Sequence, residues 1–286
     1  MSSGSSYQPS AMRLEREAAG RRAARRSTLI AATSTLVVAI VLYVAVTNTP
    51  GWDRVQTSFF SWEYAKKSLP DVLHGLWLNL RVMAVCEVLI LIIGLAVALA
   101  RTTRSPLLFP LRALAAAYTD VFRGLPLLLV IFLLGLGVPA LRIEGLTNSV
   151  VVWGSAALVL TYSAYVAEVL RAGIESVHPT QRMAARALGL SPAQTTRYVV
   201  LPQAIRRVIP PLLNDLVSLQ KDSGLISVLG AIDAIKAAAI LTATSFNFTP
   251  YVTAGVLFVL LTIPLARFTD WVSARMNARQ NQGGVA

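Results

Sequence analysis

The chain has 286 residues, of which 55% are hydrophobic and only 14% charged, with a mean hydropathy of +0.60. A water-soluble domain carries about a quarter charged residues, so this composition points away from a soluble enzyme and towards a membrane protein solvated largely by lipid. The net charge of +12 comes without an aromatic-interleaved basic face or a nucleic-acid-binding motif. Arginines beside apolar spans signal membrane orientation instead, and nucleic acid is not expected as a partner.

Residues 1–28 are polar and rich in arginine ("MRLEREAAGRRAARRS"), a composition that suits a disordered tail or a surface helix. An apolar run at 28–47 is long enough to span. A secretory signal also begins with a basic segment, but this run is long for one and no small-residue cleavage site follows, so a retained first helix is expected. Residues 48–69 read as a wet loop in which Trp52, Phe59, Phe60, Trp62 and Tyr64 suit an interfacial belt. Further spans are predicted at about 72–100, 110–138, 150–174 and 202–222 and, after a loosely helical stretch, at 250–273. Cys86 lies inside the second span, where no other thiol can join it in a disulfide or a metal site, and it reads as apolar filler. His74 and His178 sit in different segments and read as structural. Lysines and arginines near the span ends number eighteen on one side and five on the other. By the positive-inside rule both termini face the cytoplasm.

Between the fourth and fifth spans lies a polar, well-punctuated module at 178–202, containing "MAARALGLSPAQTTRYVVLP". Pro179 and Thr180 open a helix and Gly189 stops it, because glycine tolerates the left-handed conformation that ends helices. Ser191, Pro192 and Gln194 then form a capping box with a proline start, and Pro202 is expected to end the second helix and open the next. The result is two short helices joined by a tight turn. Ala184, Ala185 and Ala187 let another surface approach, and Leu188 and Leu190 supply an apolar knob. A surface loop with incidental helices is the blander reading.

The spacing of this module resembles the cytoplasmic signature loop of ABC importer membrane subunits: Glu-Ala-Ala, three residues, Gly, nine residues, an aliphatic, one residue, Leu-Pro. Here Ala184 and Ala185 are followed at that spacing by Gly189, Val199, Leu201 and Pro202, while Met183 stands where the family usually carries glutamate. "DVFRGLPLLL" (120–129), "YSAYVAEVLRAGIESV" (162–177) and "LPQAIRRVIPPLLNDLVSLQKDSGLISVLG" (201–230) extend the resemblance to the polar-amino-acid branch, of glutamate, glutamine or histidine type, over roughly 70–275. The resemblance implies an all-α polytopic membrane protein with six transmembrane helices, a five-helix permease core plus one extra N-terminal helix, and cytoplasmic coupling helices. The expected domains are a cytoplasmic tail (1–28), the extra helix (28–47), an extracytoplasmic loop (48–69), the permease domain (70–275, coupling loop 178–202) and a second cytoplasmic tail (276–286).

It also implies the function: a permease subunit of an ATP-driven amino acid importer in a bacterial plasma membrane. The expected partners are two cytoplasmic ATPase subunits, a second permease chain (the same or a related one) and an extracytoplasmic amino-acid-binding protein. Met183, Ala184, Ala185, Ala187, Leu188, Gly189, Leu190 and Ser191 are the expected coupling residues. The chain lacks a glycine-rich phosphate loop ending in Lys-Ser or Lys-Thr. No ATP or magnesium is therefore expected in it, both belonging to the partner ATPase, and it is assigned no catalytic, cofactor or metal residue.

Ionisable residues inside spans are costly and often functional. Asp120 with Arg123, and Glu168 with Arg171, are three residues apart and are expected to pair on one helix or to snorkel. On the fifth predicted span (202–222) Asp215, Ser218 and Asp222 share one face, with Asn214 and Lys221 on the adjoining stripe. These five, with Glu87 mid-span and without a local partner, are the candidates for the substrate path, and interhelical polar glue is the alternative. A secondary transporter would need inverted repeats with broken helices in both halves, which are not evident. That class, or a channel subunit, is the competing function.

Overall fold

The computed structural model describes residues 11–103 and 105–282, and the described residues are helices, turns and loops without strands. They divide into two compact units, Met1–Thr57 and Ser58–Ala286. In the first, α1 (Ala11–Thr47) is one continuous helix, so the helix begins inside the arginine-rich segment rather than at residue 28. Its apolar residues from Leu29 to Val46 are exposed, as a lipid-facing helix requires. The short α2 (Trp52–Phe59) follows.

The second unit is organised around α3 (Trp62–Thr102) and α7 (Val150–Glu175), which pack along one another. At about 1.5 Å per residue, the 41 residues of α3 exceed the thickness of a hydrocarbon core. Val82, Cys86 and Ile90 of α3 meet Leu158, Val159, Tyr162 and Val166 of α7, and Cys86 is fully buried among them, which bears out its reading as apolar filler.

The predicted third span is broken. α4 (Phe109–Gly124), entered through a 3₁₀ turn at Pro106–Leu108, stops at Leu125, because the residue before Pro126 is pushed out of the helical region. α5 (Leu127–Phe132), a π-helical turn at Leu133–Gly137 and the single turn α6 (Val138–Ala140) continue at a 104° bend. α8 (Pro179–Ala187) and α9 (Pro192–Thr195) form the polar module. α10 (Leu201–Asp222) leads through a 3₁₀ stretch at Ser223–Leu229 to α11 (Ala234–Ser245), bent by 48° from it. α12 (Thr249–Gln282) closes the chain. Broken helices are thus present in both halves, where the sequence suggested unbroken ones. Among the described residues four stretches are long and apolar enough to cross a membrane alone: Ala24–Thr47, Trp52–Thr102, Val150–Glu175 and Thr249–Met276. The two bent pairs reach that length only if each counts as one span.

At the α3–α11 junction backbone meets backbone. A Cβ on Gly75 would collide with the backbone of Asp233 and Ala234, so the two backbones touch only because the side chain is missing. Asp233 is 0% exposed and Asn79 2%. Asn79 donates Nδ2–H to Asp233 Oδ2 at 3.0 Å and accepts from the Ala234 amide at 3.2 Å, while Asp233 Oδ1 caps α11 by accepting from the Lys236 amide at 2.8 Å. Every buried polar atom of this pair has a use, which is what makes its burial tolerable.

Candidate functional site: a capped hairpin and a polar cluster between helices

The hairpin between α7 and α10 is built from its termini inwards. His178 is the N-cap of α8, its Nδ1 accepting from the Thr180 amide at 3.3 Å. At the other end the Gly189 amide donates to Arg186 O (3.0 Å) and the Leu190 amide to Ala185 O (3.2 Å), the paired bonds of a Schellman motif. Gly189 sits at φ +86°, a left-handed conformation that side chains with a Cβ resist. Ser191 then makes the predicted capping box: Gln194 N–H donates to Ser191 Oγ (3.2 Å) and Ser191 N–H to Gln194 Oε1 (2.8 Å). Capping on this scale satisfies amides that helices this short cannot satisfy themselves.

Two details differ from expectation. Pro202 interrupts nothing. A π-helical turn at Thr196–Val200 joins α9 directly to α10, with Pro202 in the first turn of α10, where its missing N–H costs no bond. The alanines also divide between two faces. Ala185 is 5% exposed and belongs to the hairpin's interior, whereas Met183 (60%) and Leu188 (85%) stand out, with Ala184, Ala187, Gly189 and Ser191 also on the surface and Leu190 half-buried. Met183 and Leu188 are thus two exposed apolar side chains on a capped, polar scaffold.

Within the membrane region α3, α7 and α10 bring several candidate residues together. Tyr162 donates its hydroxyl to Asp222 Oδ2 at 2.6 Å. Asp215 is half-buried, with Oδ2 enclosed and unpartnered among the described residues, and Glu87 of α3 lies within electrostatic reach of it. Ser218 is half-buried, while Asn214 and Lys221 are exposed. Glu87 is therefore not isolated; its neighbour comes from a helix more than a hundred residues on. Tyr162 escaped sequence reading because a tyrosine in an apolar run gives no charge signal. The same holds for Gln220, which accepts from the Thr262 hydroxyl at 2.6 Å.

Glu168 pairs with Arg171 as predicted (2.5 Å), but it also takes Arg101 of α3 (2.6 Å) and Arg123 of α4 (3.7 Å). The expected Asp120–Arg123 pair is not formed among the described residues. Arg123 turns to Glu168 because α4 packs beside α7. Arg171 also pairs with Glu175. One carboxylate thus gathers cations from three helices near the positively charged end of the bundle.

The described residues thus combine long apolar helices, two bent helix pairs, a small polar cluster between α3, α7 and α10 and a capped hairpin. The chain belongs to the family of binding-protein-dependent transport system inner membrane components, whose profile matches residues 92–278. It is 36% identical over 188 residues to the probable glutamine ABC transporter permease protein GlnM of Bacillus subtilis (strain 168), covering 65% of this chain and 83% of that one. It is 33% identical over 202 residues to the arginine transport system permease protein ArtQ of the same strain, covering 69% and 88%. A crystal structure of an amino acid ABC transporter with histidines superposes with a TM-score of 0.69 at 30% identity, over 75% of this chain and 98% of that one. An inward-facing structure of the MetNI methionine ABC transporter shares the fold, with a TM-score of 0.59 at 19% identity over 72% and 95%. The chain is thus an inner-membrane permease component that works with a binding protein, and its fold is the helical permease fold its sequence pattern suggested.

Proposed function

We propose that this chain is the permease subunit of an ATP-driven amino acid importer and that residues 178–202 are its coupling loop. The exposed Met183 and Leu188 side chains on a capped hairpin carry this reading. A patch this small adds nothing to the stability of the chain itself and is suited to insertion into a cleft of a cytoplasmic ATPase subunit. Ala184 and Ala187 allow close approach, and Ala185, Gly189, Leu190 and Ser191 hold the shape. Met183, in place of an acid, makes this contact apolar rather than ionic.

The assembly we infer has two ATPase subunits, a second permease chain, identical or related, and an extracytoplasmic binding protein. The names of the relatives, glutamine and arginine permeases among them, support a polar amino acid as cargo. Counting each bent pair as one span gives six crossings, α1 being the addition to a five-span core within 70–275, with both termini in the cytoplasm as the arginine distribution requires. Glu87, Asp215, Ser218 and Asp222, joined by Tyr162, are the intramembrane groups that can replace water around an ammonium or a carboxylate, with Asn214 and Lys221 on the adjoining face.

Purification of the chain with its neighbours, followed by uptake into vesicles against a panel of amino acids, tests this reading. Retention of an ATPase and hydrolysis stimulated by a loaded binding protein are expected. Uptake by the chain alone, driven by an ion gradient, would overturn it.

A further inference from the structure

The C-terminus of α7 is held from two directions. Arg182 of α8 donates Nη2–H to Ile174 O at 2.6 Å, and Arg207 of α10 donates to Ser176 O at 2.5 Å and to Ser176 Oγ at 2.7 Å. Ser176 Oγ–H in turn donates to Gly173 O at 2.6 Å. These are the carbonyls a helix leaves unpaired at its end, and a guanidinium suits them because it brings charge to the negative pole of the helix and several donors in a fixed plane. A third tie, Gln203 Nε2–H to Gln181 Oε1 at 2.6 Å, binds α8 to α10 directly.

The far end of the same two helices is also tied, by the Tyr162–Asp222 bond. Along α7 the two ties are 14 residues apart (162 to 176) and along α10 they are 15 apart (207 to 222), so the helices span about 21 and 22.5 Å between them. The spacings match, so the two helices run antiparallel with no slack between the clamps.

We propose that Arg182 and Arg207 are positioning residues that join the α8 hairpin, α7 and the cytoplasmic half of α10 into one lever, so that displacement of the hairpin moves the Tyr162–Asp222 end inside the membrane. The inference rests on the coupling-loop reading. Neither arginine belongs to the proposed substrate path or to the exposed apolar pair Met183 and Leu188; each acts through the end of α7. An element that transmits motion must move as a unit, and these bonds supply that unity where the hairpin itself buries little.

The test uses the complete complex in vesicles and measures ATPase retention, hydrolysis and amino acid uptake. Arg182→Ala, Arg207→Ala and the pair are expected to keep the ATPase bound and hydrolysing, while uptake per ATP falls about fivefold or more. Arg207→Lys, which keeps a charge and a donor, is expected to restore most of the ratio; a merely structural contribution would lower assembly and leave the ratio alone. If the pair proves poorly assembled, the single Arg207→Ala variant, altered at an exposed side chain, decides. A ratio within about twofold of the wild type in assembled variants overturns the lever. A wild-type chain that retains no ATPase overturns the coupling-loop reading instead, and the two failures are distinguished by retention.

Discussion

The α3–α11 junction and the 178–202 hairpin both depend on a capped helix start, yet they are opposite in kind. At the junction the cap, Asp233, is wholly enclosed, braced by Asn79 and pressed against Gly75. At the hairpin the cap, Ser191, is in the open, and its bonds to Gln194 stay within one turn. The difference separates two tasks. Burial makes a contact costly to break and fixes the relation of two membrane helices. Local capping makes a short element stiff by itself while leaving its surface free for a partner.

Variants should rank accordingly. Gly75→Leu is expected to be the most severe, losing about 3 kcal/mol or more because backbone rather than a yielding side chain stands in the way; thermal unfolding in detergent should show it as a large fall in midpoint or as failure to accumulate. Asn79→Ala leaves a buried carboxylate oxygen unpaired and should cost about 2–3 kcal/mol by the same assay. Ser191→Ala removes one exposed cap and should cost about 1 kcal/mol. Its clearer readout is faster hydrogen exchange confined to 191–200. Leu188→Asp should change stability by less than about 0.5 kcal/mol while abolishing ATPase retention, since the side chain touches nothing it could destabilise. The contrast between the two regions fails if Ser191→Ala matches Asn79→Ala in cost, and it sharpens if Leu188→Asp separates docking from stability completely.

Much of the hairpin was legible in the chain. Its stops and starts rest on residues whose preferences are local: glycine at positive φ, serine with glutamine three residues on, proline in the first turn. The π-helical turn at Thr196–Val200 was not legible, because a helix that shifts its bonding by one residue carries no composition of its own. The broken third span was half visible in Pro126, which marks where the helix must leave its path but not by what angle. Partner choice was the least legible. Arg123 has Asp120 three residues away in sequence and still turns to Glu168, because α4 lies against α7.

The sequence by itself determined what depends on composition and on neighbours along the chain: a helical membrane protein, the capped hairpin and the family to which they belong. Only the tertiary structure decided which of the hairpin's alanines is hidden, which helices are bent, that Glu87 lies within electrostatic reach of Asp215, that Asp222 is held by Tyr162, and that two arginines close the end of α7. The physical reason is range. Caps, turns and hydropathy are settled within a few residues, whereas a buried charge takes the partner that packing brings to it, however far away in the chain that partner lies.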